Sequence, residues 1–395
     1  MSENSWETWA EAAGEGLPAA VLDLDAAEKN IELLARQAGN KPLRLVTKSL
    51  RCRPLIAHLL AYLGDRCSGL MAFHPEEAAW LSEQFRSSIL VAYPSTQVHA
   101  LSTALAAVRQ GADITFMVDS ADHLTALTQA MRGNPVTVPV AIDLDMSSRW
   151  PGLHFGVQRS PIRRQEDLAA LLDEIRKRPG FRLAGVMGYE AQIAGLPDRR
   201  PDDRLHSLAV PRLKTLSRRH VARWRAEAVR VIRDAGFSPE FVNGGGTGSV
   251  AFTAGCPEVT EIAVGSGVFC PHLFDHYRDL PLRPAAGFVL PVDRRPQPGV
   301  VTCSGGGYVA SGACDASRLP KPVWPEGVSL LPLEGAGEVQ TPVRLPAADL
   351  NPDRVVFRHA KAGELCERFN QLRVHRSGKV VAGWPTYRGE GRSFI

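Results

Sequence analysis

The chain has 395 residues, of which 44% are hydrophobic and 22% charged, and a formal net charge of +4. The length exceeds one ordinary core and the composition is globular, so two domains are expected and disordered or fibrous classes are set aside. The charge excess is small and no nucleic-acid-binding signature accompanies it, and no run of about 18 apolar residues suggests a membrane span.

The opening MSENSWETWAEAAGEG has neither a cationic start nor an apolar centre, so it does not read as a signal peptide. Seven cysteines without a CxxC pair fit a reducing compartment better than a disulfide framework. A cytoplasmic protein is expected. PAAVLDLD, residues 18–25, is the first strand-like piece. Strands are then expected at 43–47, 67–72, 88–92, 114–118, 138–144, 183–188, 241–243 and 261–264. Between them RPLIAHLLAYL, PEEAAWLSEQF, TQVHALSTALAAVRQ, ADHLTALTQAM and EDLAALLDEIRKR repeat apolar residues at the spacing of one helical face.

Alternating strands and helices imply right-handed parallel crossovers. Eight such units close into a (β/α)8 barrel within about 250 residues, with a doubly wound sheet as the competing arrangement. The basic run from Arg199 to Arg233 reads as a solvated helix and its approach. From Pro284 onward, AGFVLPV, GVVTCSGGGYV, DRVVFRHA and KVVAGW lie among prolines and glycines, the punctuation of an antiparallel β domain. The expected organisation is a segment over 1–25 that pairs with the β domain, a barrel over 26–283 and the β domain over 284–395.

Three features carry chemistry. RLVTKSLRC opens as a buried strand and ends in Lys48. A lysine is rarely buried without a partner, and a desolvated ammonium gives up its proton readily. Lys48 is therefore either a strand-end lysine reaching solvent or an amine kept for Schiff-base chemistry. NGGGTGS follows the seventh strand and VGSGVF the eighth, where β/α barrels often hold phosphate. Glycine turns let backbone N–H groups approach an anion, and Thr247, Ser249 and Ser266 add hydroxyls. Lys48 ends the first barrel strand, in the same mouth. A lysine facing a phosphate cradle is the arrangement that pyridoxal 5′-phosphate needs.

The chain resembles the fold-type III pyridoxal-phosphate family, an alanine racemase-like barrel with a C-terminal β domain. Within it the likeness is to the D-threonine aldolase and D-serine dehydratase branch, over residues 17 to 390. LPAAVLDLDAAEKNI resembles that branch's opening and TKSLRC its lysine motif, which implies the Schiff-base role for Lys48. NGGGTGS and TEIAVGSGVF resemble its phosphate loops, implying cofactor contacts from Gly245, Gly246, Thr247, Gly265, Ser266 and Gly267. GVMGYEAQIAG implies Tyr189 beside the cofactor ring, and AIDLDMSSRW implies Arg149 at its phenolic oxygen.

Departures from the branch matter equally. Its metal-binding His-x-Cys falls on His359 and Lys361, and an ammonium is a ligand only when deprotonated. Lys361 supplies a positive charge in the metal's stead, or Cys366 substitutes as a ligand, or His359 is structural. Gln192 stands where aldolase relatives have a histidine able to take the β-hydroxyl proton, and Ala263 where racemase-type relatives have an arginine. Asp143 and Asp145 end the fifth strand and either reach the site or cap a turn.

The resemblance implies a lyase that cleaves β-hydroxy amino acids, of D configuration, to glycine and an aldehyde, with Lys48, Tyr189 and His359 catalytic and Gln192 and Lys361 facing substrate. Dehydration to a keto acid and ammonia is one alternative. Racemisation, with Tyr308 or Tyr387 as second base, is another. It also implies a small-molecule amino-acid substrate and a homodimer. A divalent metal stays an open expectation, resting on His359.

Overall fold

The structure, a computed structural model, describes residues 3–133, 136–199, 203–312 and 315–395; Arg200 of the basic run and Cys314 lie outside them. Contacts divide the chain into two compact units. One comprises Leu34–Lys48, Leu60–Gly265 and Phe394–Ile395, and the other comprises the chain up to Leu33, Ser49–Leu59 and Ser266–Ser393.

The first unit is built on eight parallel strands: β1 (Leu43–Val46), β2 (Cys67–Ala72), β3 (Ile89–Val91), β4 (Ile114–Val118), β5 (Val138–Asp143), β6 (Phe181–Gly188), β7 (Phe241–Gly244) and β8 (Glu261–Val264). They close in the order β7-β8-β1-β2-β3-β4-β5-β6, so the doubly wound alternative is set aside. Register at the closure pairs Leu45 with Val264 and Asn243 with Glu261. Because a strand's side chains alternate between its faces, one residue in two fills the interior. Met71, Leu90, Met117, Ala141, Met187 and Ala263 form one such cluster, with Val46 and Tyr93 against it.

The barrel also buries a charge that the apolar look of LRLV does not announce. Arg44 meets Glu261 in a fork, Nε to Oε1 at 2.6 Å and Nη2 to Oε2 at 2.8 Å, and Asn243 Nδ2 donates to the same Oε1 at 2.9 Å. Two buried charges are tolerable because each is paired and hydrogen-bonded. Between β5 and the helix Gln165–Arg176 the chain makes a small ribbon, Ser148–Trp150 against Leu153–Phe155, that apolar spacing does not reveal. The basic run becomes the long helix Arg204–Asp234.

The second unit is a nine-stranded sheet. Strand Ala19–Asp23 lies between Ala286–Gln297, antiparallel, and Gln371–Arg376, parallel. Helix Glu3–Ala12 covers this sheet with Trp9, packed among Val21, Val289 and Val356. Gly287 leaves the space for that indole: a Cβ there would stand 2.6 Å from Trp9 Cζ3. Among the described residues no helix is long and apolar enough to cross a membrane, and Cys52, Cys67, Cys256, Cys270, Cys303 and Cys366 are free thiols.

Candidate active site

All eight barrel strands are parallel, so the residues just beyond their carboxyl ends share one mouth. Lys48 sits there in the short helical turn Thr47–Ser49 that follows β1. Thr47 Oγ1 donates to Met71 O on β2 at 3.0 Å and steadies that turn. Lys48 Nζ donates to the phenolic oxygen of Tyr93, two residues beyond β3, at 2.6 Å. Burial pushes the Tyr93 phenol up, but the charge and hydrogen bond of Lys48, with Arg159, carry it below the ordinary tyrosine value. The Arg159 guanidinium lies 5.6 Å from the centroid of the Tyr93 ring and 6.0 Å from that of Tyr189.

The two aspartates at β5 part company. Asp145 is committed to its own turn, accepting from Ser147 N at 2.9 Å and from Arg163 Nε at 2.7 Å. Asp143 is buried, and burial pushes its carboxyl up to about 8, with the charge of Asp119 adding, Arg159 opposing and Asp145 adding. A carboxyl displaced this far is neutral near pH 7 and able to hold a proton. Asp119 is in turn held by His123, Nδ1 to Oδ1 at 3.1 Å.

Glycines shape the wall after β7, though not in the way their backbone donors suggest. The Gly245 N–H is taken by Glu190 Oε2 at 3.1 Å and the Gly246 N–H by Ser249 Oγ at 3.1 Å, both within the protein. What these positions require is the absence of a side chain. Gly245 has φ +86°, where an L residue is strained, and its Cβ would stand 2.7 Å from Ile262 Cγ2. A Cβ on Gly246 would stand 3.0 Å from Ala194 Cβ and 3.1 Å from Tyr189 Cε2. Thr247 begins the short turn Thr247–Ser249 that leads into helix Val250–Ala254. Gly265 follows directly on β8, the neighbour of β7, and the chain passes into the second unit at Ser266, with Gly267 next.

Tyr189 follows β6. Burial pushes its phenol up to about 12; Arg159 opposes, while Glu190 and Tyr93 add to the rise. Gln192, buried on the short helix Ala191–Ala194, spends its amide donor on Met146 O at 2.6 Å. Arg149 is exposed on the ribbon, and Arg159, ten residues on, is the arginine found over the two tyrosine rings. Ala263 belongs to the barrel interior.

The remaining expected residues lie in the second unit. His359 is fully buried and neither ring nitrogen has a hydrogen-bond partner of good geometry. Burial, then His272 and Arg358, push it down to about 3, with the Ala286 backbone near enough to oppose them. Lys361 is exposed and its ammonium donates to Ser311 Oγ at 2.7 Å. Burial, and then Cys52, push the Cys366 thiol well above its ordinary value, so it keeps its proton. Tyr308 is pushed far up by burial and its hydroxyl is unpartnered, while Tyr387 is buried and bonds through its backbone to Arg51 O at 2.8 Å. Among the described residues no three histidine, cysteine or acidic side chains gather as a metal site. With the Lys361 ammonium bonded to Ser311, His359, Lys361 and Cys366 do not form a ligand set.

Residues 22–271 match the family model described as the alanine racemase N-terminal domain. The chain belongs to the alanine racemase N-terminal-domain family. It is similar to a D-threonine aldolase of Arthrobacter sp, 27% identical over 257 residues that make up 64% of this chain and 60% of that protein. A 3-hydroxy-D-aspartate aldolase of Paracoccus denitrificans (strain Pd 1222) is 22% identical over the same shares of each chain. The match thus spans 60% of the length of these curated relatives. Among solved structures, D-threonine aldolase from Filomicrobium marinum superposes with a TM-score of 0.79, at 22% identity and over 95% of each chain. D-threo-3-hydroxyaspartate dehydratase from Delftia sp. HT23 superposes with a TM-score of 0.74, at 20% identity, over 95% of this chain and 98% of that one. These likenesses establish a shared fold.

The alanine racemase-type barrel implies pyridoxal phosphate, and the residues present fit it: an amine at the mouth, a glycine loop after β7 that leaves no room for a side chain at Gly245 or Gly246, and a guanidinium near two phenol rings. Sequence reasoning passes over Tyr93, Arg159 and Glu190. Tyr93 has a signal in hindsight, an aromatic in the AYP phrase that ends a buried strand. Glu190 has another, an acid placed between a buried strand and an apolar turn.

Proposed function

We propose that the chain is a pyridoxal-phosphate-dependent lyase that cleaves D-β-hydroxy amino acids to glycine and an aldehyde, working as a cytoplasmic homodimer. The observation that carries this reading is the Lys48–Tyr93 hydrogen bond at the end of β1, in the barrel mouth that also carries the glycine cradle after β7. The aldolase names of the two curated relatives support the substrate class. When bound, the cofactor supplies an electron sink for charge that develops at Cα.

The protein's own groups supply the rest. Lys48 would hold the cofactor through Nζ. Arg159, over the Tyr93 and Tyr189 rings, would bring positive charge to it, the role expected of Arg149. Tyr189, packed against Gly246, would line its place. Carbon–carbon cleavage must remove the β-hydroxyl proton, and Gln192 has no base to offer. We assign that proton to Tyr93, whose phenol lies within reach of Lys48 Nζ and whose ring centroid is 5.6 Å from the Arg159 guanidinium. Asp143 holds a proton at its carboxyl in the same mouth. No step is assigned to His359, Lys361 or a metal.

The experiment is an incubation with D-threonine, D-serine and D-3-hydroxyaspartate, with product analysis. Glycine with an aldehyde supports the proposal. Keto acid with ammonia replaces it by a dehydratase, and the L-enantiomer alone replaces it by a racemase.

A further inference from the structure

Behind the glycine cradle lies a buried carboxylate that the proposed chemistry does not use. Glu190 is wholly buried, and both its oxygens are filled. Oε2 accepts from Gly245 N at 3.1 Å and from Arg225 Nη1 at 3.2 Å. Oε1 accepts from Ser249 Oγ at 2.9 Å and from Thr253 Oγ1. Ser249 Oγ in turn accepts from Gly246 N at 3.1 Å, so both cradle amides are tied to Glu190, one directly and one through a hydroxyl. Arg225, itself fully buried, also donates to Gly188 O at 3.0 Å and pairs Nε with Glu258 Oε1 at 2.9 Å. Its guanidinium reaches this place because Gly244 has no side chain: a Cβ there would stand 2.8 Å from Arg225 Nη1.

A carboxylate offers about four acceptor sites and no donor, and here four donors converge on it, three from the segment 245–253 and one from the long helix. The donors are a loop amide, the hydroxyl of Ser249 just before helix Val250–Ala254, that of Thr253 within it, and an arginine from the long helix Arg204–Asp234. An anion beside an anion-binding loop opposes its purpose on charge alone. It is tolerated because Arg225 balances it, and it has value if the loop's shape matters more than the local sign of charge. We infer that Glu190 is a positioning residue, the internal template on which the loop Gly245–Ser249 is held ready for a phosphate group, with Arg225 as its counter-charge. This rests on the cofactor reading above. Holding the loop in its binding shape beforehand removes an ordering cost from binding.

The test compares pyridoxal 5′-phosphate with unphosphorylated pyridoxal on the full-length chain. Kd for each is measured by absorbance titration, with inorganic phosphate as competitor. The wild type is expected to prefer the phosphate ester. Glu190→Gln keeps the shape but presents two donor hydrogens where an acceptor is needed. It is expected to weaken the ester at least tenfold and to leave pyridoxal nearly unchanged, so the preference collapses. Thr253→Val is expected to act in the same direction and Thr253→Ser to restore it. If Glu190→Gln does not fold, Ser249→Ala and Thr253→Val carry the comparison. A preference that persists in these variants overturns the inference. So does tighter ester binding by Glu190→Gln, the result expected if removal of a negative charge outweighs loop shape. Equal loss of both ligands reduces Glu190 to a residue of general stability and also overturns it. A wild type without any preference for the ester refutes the phosphate-loop reading itself, a separate outcome.

Discussion

Lys48 donates through Nζ to the phenolic oxygen of Tyr93 at 2.6 Å, joining the turn after β1 to the loop after β3. Burial alone would lift the phenol; the ammonium and Arg159 reverse that. Tyr93 is therefore expected to ionise below an ordinary tyrosine in the wild type, and to rise in Lys48→Met, where burial is opposed by Arg159 only. The difference in phenolate absorbance between each protein and its Tyr93→Phe counterpart, followed through an alkaline titration, measures this. An unchanged titration in Lys48→Met would separate the two residues.

If Tyr93 takes the β-hydroxyl proton, Tyr93→Phe is expected to lower kcat by about 100-fold or more, within the range of general acid–base catalysis. KM should change little, because the ring stays. Steady-state rates with the best D-β-hydroxy substrate check it, and a kcat within about twofold of wild type moves the role elsewhere.

Asp143 makes a pH prediction with a definite sign. Its carboxyl stands at about 8 in the folded protein against an ordinary 3.8, so between these values the folded state holds the extra proton. The stability linked to it is whole below about pH 4 and is lost as pH rises toward about 8. Even one pH unit of such displacement is about 1.4 kcal/mol. Asp143→Asn is expected to remove this decline, gaining on wild type by more than about 1 kcal/mol as pH rises between those limits. Urea unfolding at both ends of the range reads it; a difference independent of pH contradicts the burial of an ionisable group there.

The barrel was legible because its strands are short apolar runs and its helices keep one apolar face, as in RPLIAHLLAYL, which folds as the helix Arg53–Leu63. The placement of Lys48 and of the glycines just beyond β1 and β7 was legible for a related reason: each breaks its strand with a residue the strand does not need. Arg159 was not, because the ribbon Ser148–Trp150 and Leu153–Phe155 lengthens the path from β5 by a distance that periodicity does not encode. Gln192 and Lys361 read as site residues by position along the chain. The structure gives Gln192 to Met146 O and Lys361 to Ser311, bonds to backbone and loop that no local pattern announces.

The two cradle glycines should fail differently. Gly245→Ala forces a side chain into a left-handed backbone, costing about 1–2 kcal/mol, and against Ile262 as well. Gly246→Ala has ordinary backbone but crowds the Tyr189 ring. Urea unfolding is expected to register the first substitution, and pyridoxal-phosphate affinity to register both. Full affinity in Gly246→Ala would mean that the ring yields freely.

With no three metal-ligating side chains gathered among the described residues, His359 carries a further expectation. Extended treatment with a strong chelator is expected to leave the lyase rate unchanged, and elemental analysis to find less than one divalent metal per chain. Loss of activity restored by manganese or zinc would show that ligands assemble around His359.

The central claim is that the side-chain nitrogen at position 48 carries the cofactor. Reduction of the purified protein with borohydride, followed by proteolysis and mass spectrometry, tests it most directly. A phosphopyridoxyl group on the peptide containing Lys48, absent from Lys48→Ala, is the expected result. The same group on another lysine, or undiminished labelling in Lys48→Ala, would contradict the account.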